Sequence, residues 1–212
     1  IVGQLLFVYY LSIWGSTAGA GIYGAQFYGR GDMDGMRHTF RFKLIIVSVI
    51  TAAAIALLSA AGAALIRRYI AADTSAADVE ATMSYALDYL HIMLIGLVPF
   101  AVTQCYAGTL RESGQTVLPM RASIAAILVN FVFNSLLIFG LLGFPRLGVV
   151  GAAIATVISR FVELAIVVYG AHRTPGRFPF FEGVFRGFRI PWGLAKNIMS
   201  KSLPLLCNEL LW

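Results

Sequence analysis

Charged side chains are scarce in this sequence. Asp, Glu, Lys and Arg together make up 12% of its 212 residues, whereas they make up about a quarter of an ordinary soluble domain. Hydrophobic residues account for 59% of the chain. A water-soluble domain of this length needs far more polar residues to cover its surface, so the composition excludes one.

Residues that carry out catalysis or bind metals are also few. The chain has 2 cysteines and 3 histidines, and Cys105 and Cys207 lie within apolar stretches, without the spacing of a metal site or of a disulfide that staples loops. The sequence contains no GxSxG, HExxH or Walker motif, so it gives no support to a protease or an ATPase. We therefore predict that the chain is not an enzyme and has no cofactor and no metal centre.

Long apolar stretches dominate the chain instead. Five of them are each roughly 22 to 26 residues long, enough at about 1.5 Å per residue to cross a hydrocarbon core roughly 30 Å thick. Every backbone amide must be paired inside a bilayer, and the alternating pattern of a β-barrel is absent from the sequence, so these stretches are predicted to be helices. The fold class is an all-α, multi-pass transmembrane bundle. The predicted spans are 2–27, 44–66, 85–110, 120–142 and 148–170, and a further apolar segment begins near residue 198.

Basic residues fall mainly into alternate gaps between these spans. Three alternate gaps hold 12 Lys and Arg residues, and the other two hold 3. By the positive-inside rule the richer gaps face the cytoplasm, so the first span runs from outside to inside. The net charge of +6 is then explained by basic loop residues that are attracted to an anionic inner leaflet. We predict membrane lipid, and not nucleic acid, as a partner.

Small residues recur at helical spacing in two of the spans. Gly15 and Gly19 form a GxxxG pair in the first span, and Gly148, Ala152 and Thr156 follow one another every four residues in the fifth. Such ridges let helix backbones approach closely in a membrane, where lipid offers no hydrophobic drive for association. Both ridges are predicted to be packing faces.

A few polar side chains lie inside the spans, where an unpaired charge costs at least about 2.5 to 3.5 kcal/mol. Asn130 and Asn134 are one turn apart on the fourth span, and they predict either the wall of a wet cavity or a hydrogen bond to a neighbouring helix. Arg160 and Glu163 share a face of the fifth span. They form either a structural ion pair or a site where Glu163 exchanges protons or cations while Arg160 acts as its gate.

The last apolar segment contains a further carboxylate. Glu209 follows the start of that segment by about eleven residues, which places it near mid-bilayer. A carboxylate at that depth is our first candidate for coupling to a cation or a proton, and the alternative is a structural hydrogen bond to a neighbouring helix.

Four stretches resemble the multidrug and toxic compound extrusion (MATE) transporters. They are GAQFYGRGDMDGMRHTF at residues 24–40, GTLRESGQTVLPM at 108–120, VNFVFNSLLIFGLLGFPRLGVVGAAIATVISR at 129–160 and SLPLLCNELLW at 202–212. The third is the most specific, and it is similar to that family's fifth helix, short outer loop and sixth helix. The four stretches occur in the family's order along the chain.

The resemblance implies one incomplete lobe of a two-lobed, twelve-helix protein. Residues 1–170 would form helices two to six, 171–197 a cytoplasmic linker between the lobes, and 198–212 the start of the first helix of the C-terminal lobe. The rest of that lobe would be a partner outside this chain. The resemblance also implies a multi-pass protein of the cell membrane, of the bacterial inner-membrane kind. Such a protein exports small organic molecules, mainly cationic drugs or toxins, in exchange for Na⁺ or H⁺.

Roles for the polar residues follow from the resemblance by position. Glu209 matches the acidic residue on the family's seventh helix that is implicated in cation coupling, whereas Asn134 stands where many bacterial members have an acidic residue. The predicted coupling residues are Glu209 and Glu163, and the predicted cavity wall consists of Asn130, Asn134 and Arg160. Two alternatives stay open: a lipid-linked oligosaccharide flippase or polysaccharide exporter of the same superfamily, which a basic cavity would favour, and a non-transporting membrane scaffold subunit.

Overall fold

The chain is built from long α-helices joined by short connections. A computed structural model describes the backbone of residues 1–70, 76–174 and 176–211, and the side chains of all of these except 76, 77 and 209–211. Within these residues there is no β-strand, so the all-α prediction is confirmed. The helices are α1 (Val2–Gly29), α2 (Met33–Tyr69), α3 (Ala76–Glu112), α4 (Val117–Phe139), α5 (Val149–His172) and α6 (Trp192–Leu211).

The five predicted spans all coincide with helices long and apolar enough to cross a membrane. Two helices extend well beyond the apolar part of their sequence: α2 begins at Met33 and α3 at Ala76, whereas the apolar stretches begin at residues 44 and 85. Asp32 accepts a hydrogen bond of 2.8 Å from the amide of Gly35 and caps α2, which satisfies a helix end lying outside the apolar region. Hydropathy marks only the part of a helix that contacts lipid, so it cannot detect these extensions.

The helices pack around a core at the centre of the bundle. α1 contacts α2, α3 and α6, while α5 lies between α3 and α4. Ile13, Val47 and Leu97 are almost completely buried in this core. Large apolar side chains on the outer faces are exposed instead, such as Phe131 at 69% and Leu57 at 60%. An apolar exterior of this kind is stable only against lipid.

Glycines allow two of the close helix contacts. A Cβ added to Gly19 would lie 2.6 Å from the backbone Cα of Ser202, so the prediction of a packing face on α1 is confirmed. The predicted face on α5 is met at Thr156, which accepts a hydrogen bond of 3.3 Å from Asn130 of α4, but not at Gly148, where a Cβ would meet nothing within 4 Å; the close approach to the Leu137 carbonyl of α4 occurs at Gly151. Small residues also recur at four-residue spacing from Gly151, so periodicity alone does not select the packed ridge.

The segment between α5 and α6 is docked against the bundle. Residues 178–186, which we call the docked segment, contain two short 3₁₀ helices, and Phe180, Phe181 and Val184 are at most 2% exposed. Phe181 packs edge-on against Phe40 of α2 at 5.0 Å between ring centroids. The first six residues of α6 also lie within the stretch 171–197 that the sequence assigns to a linker.

Candidate functional site

A groove between α4 and α5 collects most of the predicted site residues. It has a volume of about 400 Å³, and we call it the polar groove. Asn130 of α4 and Arg160 and Glu163 of α5 line it, whereas Asn134, also predicted for the cavity wall, is not among its lining residues. Its other lining residues are Ser123, Ala126, Ile127, Thr156 and Ser159.

Glu163 is buried in this groove, and its carboxylate is only partly paired. The residue is 8% exposed. One carboxylate oxygen accepts a hydrogen bond of 2.8 Å from the hydroxyl of Ser123, and the other lies 3.7 Å from the nearest guanidinium nitrogen of Arg160. That separation is longer than a charge-assisted hydrogen bond, which is about 2.7 to 2.9 Å. The carboxylate therefore retains acceptor capacity for a proton or a cation.

Arg160 is held away from Glu163 by aromatic rings on other helices. Its guanidinium carbon lies 4.6 Å from the ring centroid of Phe100 on α3 and 5.9 Å from that of Tyr10 on α1. A cation over an aromatic face within about 6 Å gains a favourable interaction, larger where water is excluded. Arg160 thus links three helices, and its charge is divided between the aromatic rings and the carboxylate.

The two asparagines form a hydrogen-bonded ladder from α4 to α5. The Asn134 amide donates to the side-chain oxygen of Asn130 at 2.8 Å, and the Asn130 amide donates to the Thr156 hydroxyl at 3.3 Å. Both interpretations made from the sequence are therefore met in part, because Asn130 bridges two helices and also lines the groove. The side-chain oxygen of Asn134 is buried without a partner, so it is available to a ligand or to an ion.

Glu209 lies outside the residues whose side chains the structure describes. Its helix, α6, packs along α1, whereas the polar groove lies between α4 and α5. The coupling role predicted for Glu209 therefore stays a prediction.

Sequence reasoning missed a second buried ion pair, between α2 and the C-terminal end of α3. Lys43 of α2 is 1% exposed in its side chain, and its ammonium nitrogen lies 2.5 Å from both carboxylate oxygens of Glu112 on α3. Thr109 accepts a third hydrogen bond from it at 2.9 Å. A Cβ on Gly21 of α1 would lie 2.9 Å from a Glu112 oxygen, so the absence of a side chain there makes room for the pair. In the sequence, Lys43 looks like one of the basic residues of a loop between two spans. Its place on a helix could have been predicted only by recognising that α2 begins at Met33, before the apolar stretch.

The family is decided by a match over most of the chain. The MatE family model matches residues 1–136. This chain belongs to the MatE family. A curated MatE relative, the probable multidrug resistance protein NorM of Geobacillus kaustophilus, is 28% identical over 163 residues, which is 77% of this chain and 34% of that protein. The chain thus spans about a third of this relative's length.

Solved MATE structures share the fold. The chain matches the inward-facing conformation of a multidrug resistance MATE family transporter of the MOP superfamily with a TM-score of 0.80, and the outward-facing conformation of such a transporter with 0.81. Each match is 21% identical and covers 99% of this chain, and 45% and 44% of the respective solved chains. The predicted MATE fold is therefore confirmed, as is the multi-pass membrane location.

Proposed function

We propose that this MatE-family chain is part of a secondary transporter that exports small organic cations in exchange for Na⁺ or H⁺. The observation that carries the proposal is Glu163, a carboxylate that is 8% exposed, lies within a membrane span, and is paired through a hydrogen bond from Ser123 and a long 3.7 Å contact to Arg160. Buried ionisable groups inside a membrane are costly and are retained for function. Apart from the coupling ion, the proposal involves no cofactor.

The coupling follows from the cost of burying charge. A proton or a Na⁺ ion on Glu163 would cancel its charge, and an organic cation would compete for the same carboxylate. Ser123 and Asn130 line the groove with Glu163 and supply polar contacts around that exchange, and Arg160 sets how much free charge Glu163 presents. An ion or a substrate that binds one access state more tightly than the other shifts the equilibrium toward that state, and the size of the shift is set by the difference in binding free energy.

The access states would be reached by movement of this bundle as a unit. The chain fits the inward-facing and outward-facing MATE structures about equally, with TM-scores of 0.80 and 0.81, which supports a bundle whose helices keep their packing while it rocks. Substrate and ion sites between rocking halves are typical of secondary transporters.

The oligosaccharide flippase that the sequence left open is less well supported. A polyanionic lipid-linked substrate would favour a basic cavity, but Arg160 is the groove's only basic lining residue among those described, and it faces Glu163 and two aromatic rings. The relative described above is named as a multidrug resistance protein. A non-transporting membrane scaffold would have no need of a buried carboxylate that is only partly paired, as Glu163 is.

The test is ion-driven transport by the full-length protein in proteoliposomes. We expect efflux of the fluorescent cation ethidium to respond to an imposed Na⁺ or pH gradient, and Glu163→Gln to reduce this gradient-driven flux at least about tenfold, because the amide cannot exchange charge. Glu80→Gln is the matched control, since Glu80 is exposed, and it should transport normally.

The same assay tests Glu209 separately. If Glu209 is the principal coupling residue, Glu209→Gln abolishes the gradient dependence and Glu163→Gln leaves it intact. Unchanged gradient-driven export in both variants would refute carboxylate coupling in this chain. Gradient-independent transport of a lipid-linked sugar by the wild-type protein would favour the flippase.

A further inference from the structure

A basic pocket lies at the cytoplasmic end of the bundle, between the first turns of α2 and the docked segment. It has a volume of about 410 Å³ and is separate from the polar groove. Its lining residues are Asp34, Arg37, His38, Arg41, Glu182, Gly183 and Arg186.

The two carboxylates of this pocket are already engaged. Asp34 accepts a hydrogen bond from Arg37 within its own helix, and Glu182 accepts one of 2.6 Å from the backbone amide of Gly176. Glu182 keeps its negative charge in that hydrogen bond, but the three arginines of the lining outnumber its two carboxylates by one.

Positive charge and donor capacity are left over. Arg41 is 9% exposed, and its guanidinium donates only to the carbonyls of Val184 and Gly183, at 2.8 and 3.0 Å. In the described part of the chain, no carboxylate lies within 4.0 Å of Arg41 or Arg186. The Nε of Arg37 and the Nδ1 of His38 are buried without a partner. Buried guanidinium groups with unmet donors are suited to the oxygens of a phosphate.

An apolar groove is lined by residues that neighbour those of the pocket in the sequence. It has a volume of about 680 Å³, and its lining includes Leu44, Val102, Leu164, Val168 and Phe185. Leu44 lies one turn after Arg41 on α2, and Phe185 directly precedes Arg186, so residues of the two linings are neighbours both on α2 and in the docked segment. α2, α3 and α5 supply the other walls, within their membrane spans.

We propose that this pair of cavities binds an anionic phospholipid of the cytoplasmic leaflet. Its phosphate enters the basic pocket, and one acyl chain lies in the apolar groove. Charge complementarity selects an anionic lipid, because the positive-inside end of the bundle faces the leaflet that is rich in such lipids. The apolar groove selects a lipid over a free anion. Since the docked segment forms half of the pocket, the bound lipid also stabilises that segment against α2. The proposal depends on membrane orientation and not on the transport activity.

The test measures lipid retention by the full-length protein with native mass spectrometry. Phosphatidylglycerol and phosphatidylcholine with identical acyl chains are titrated against wild-type, Arg186→Gln and Arg189→Gln proteins. Arg189 is the matched control, because it is exposed and lies three residues away but does not line the pocket. We expect wild type and the Arg189 variant to retain one phosphatidylglycerol more tightly than phosphatidylcholine, and Arg186→Gln to bind it about fivefold to tenfold more weakly.

A second variant tests the acyl-chain groove. Ala165→Trp fills the groove, whose lining includes Ala165, while Ala53→Trp adds the same bulk at an exposed position of α2 outside it. Only the first should weaken phosphatidylglycerol binding. Equal retention of the two lipids, or equal effects of the Arg186 and Arg189 variants, overturns the proposal. The lipid assignment would also be overturned if millimolar inorganic phosphate displaced phosphatidylglycerol while Ala165→Trp bound phosphatidylglycerol as tightly as wild type. That result would show a site for a soluble anion.

Discussion

At the scale of single residues, the environment of a charge decides whether it has a structural or a functional role. Lys43 and Glu112 make a short pair with both carboxylate oxygens 2.5 Å from the ammonium, whereas the contact between Arg160 and Glu163 is 3.7 Å. Both pairs lie in the bundle, but only the first is saturated by its own partners. We therefore assign structural stabilisation to Lys43 and Glu112, and ion exchange to Glu163.

The saturated pair gives a stability prediction. Glu112→Gln leaves the Lys43 ammonium, 1% exposed in its side chain, without a counter-charge, and breaking a buried pair in this way costs about 3 to 5 kcal/mol. We expect a clearly lower midpoint of thermal unfolding for the full-length protein in detergent. The double variant Lys43→Met/Glu112→Leu removes both charges and should recover most of the loss.

The pair between Arg37 and Asp34 is the control for this measurement. The Asp34 side chain is 80% exposed, and such pairs contribute about 0 to 1 kcal/mol, so Asp34→Asn should barely move the midpoint. If Glu112→Gln unfolded at the same temperature as Asp34→Asn, the structural role of the buried pair would be wrong.

At the scale of elements, the docked segment moves with the α1–α5 bundle because charged donors fix its backbone. Arg41 donates to the carbonyls of Gly183 and Val184, and Arg37 donates to that of Pro179 at 3.0 Å. Hydrogen bonds to charged groups contribute about 1.5 to 3 kcal/mol each. These hydrogen bonds therefore tie the docked segment to α2.

Limited proteolysis measures this attachment. Arg41→Gln removes the charged donors, so we expect trypsin to cleave after Arg177 and Arg186 several times faster than in the wild-type protein, because cleavage of native protein requires local opening. Arg30→Gln is the control, since Arg30 caps α1 and makes no contact with the docked segment. Equal cleavage rates in all three proteins would mean that the segment is held by its buried aromatic residues alone.

At the scale of the whole molecule, the orientation follows from charge and chain direction together. The docked segment, which is flanked by Arg177 and Arg189, lies at the same end as the start of α2, through Arg37 and Arg41, and α2 and α3 then reach the opposite end. The positive-inside rule makes the first end cytoplasmic.

Cysteine labelling in intact cells checks this orientation. In a Cys207→Ser background, Glu80→Cys should react with a membrane-impermeant maleimide, and Arg189→Cys should react only after the membrane is permeabilised. Both positions are exposed, so accessibility to the reagent depends only on the side of the membrane. The reverse labelling pattern would invert the assigned topology.

Hydropathy and short motifs are local properties of the chain, so the sequence alone was enough to predict the membrane spans and the family, both of which are confirmed. Loop charge is also local, and the direction it gives to the spans stays a prediction. It also predicted that Asn130 and Asn134 share one face of α4 and that Arg160 and Glu163 share one face of α5, since spacings of three or four residues place side chains on the same side of a helix.

Only the tertiary structure decided which groups are paired. It showed Ser123 on Glu163, Phe100 under Arg160, and Lys43 held by Glu112 across 69 residues of sequence. It also selected Gly151 over Gly148 as the close contact on α5. Pairing and close approach depend on how the faces of different helices meet, and helical periodicity within one segment carries no information about its neighbour.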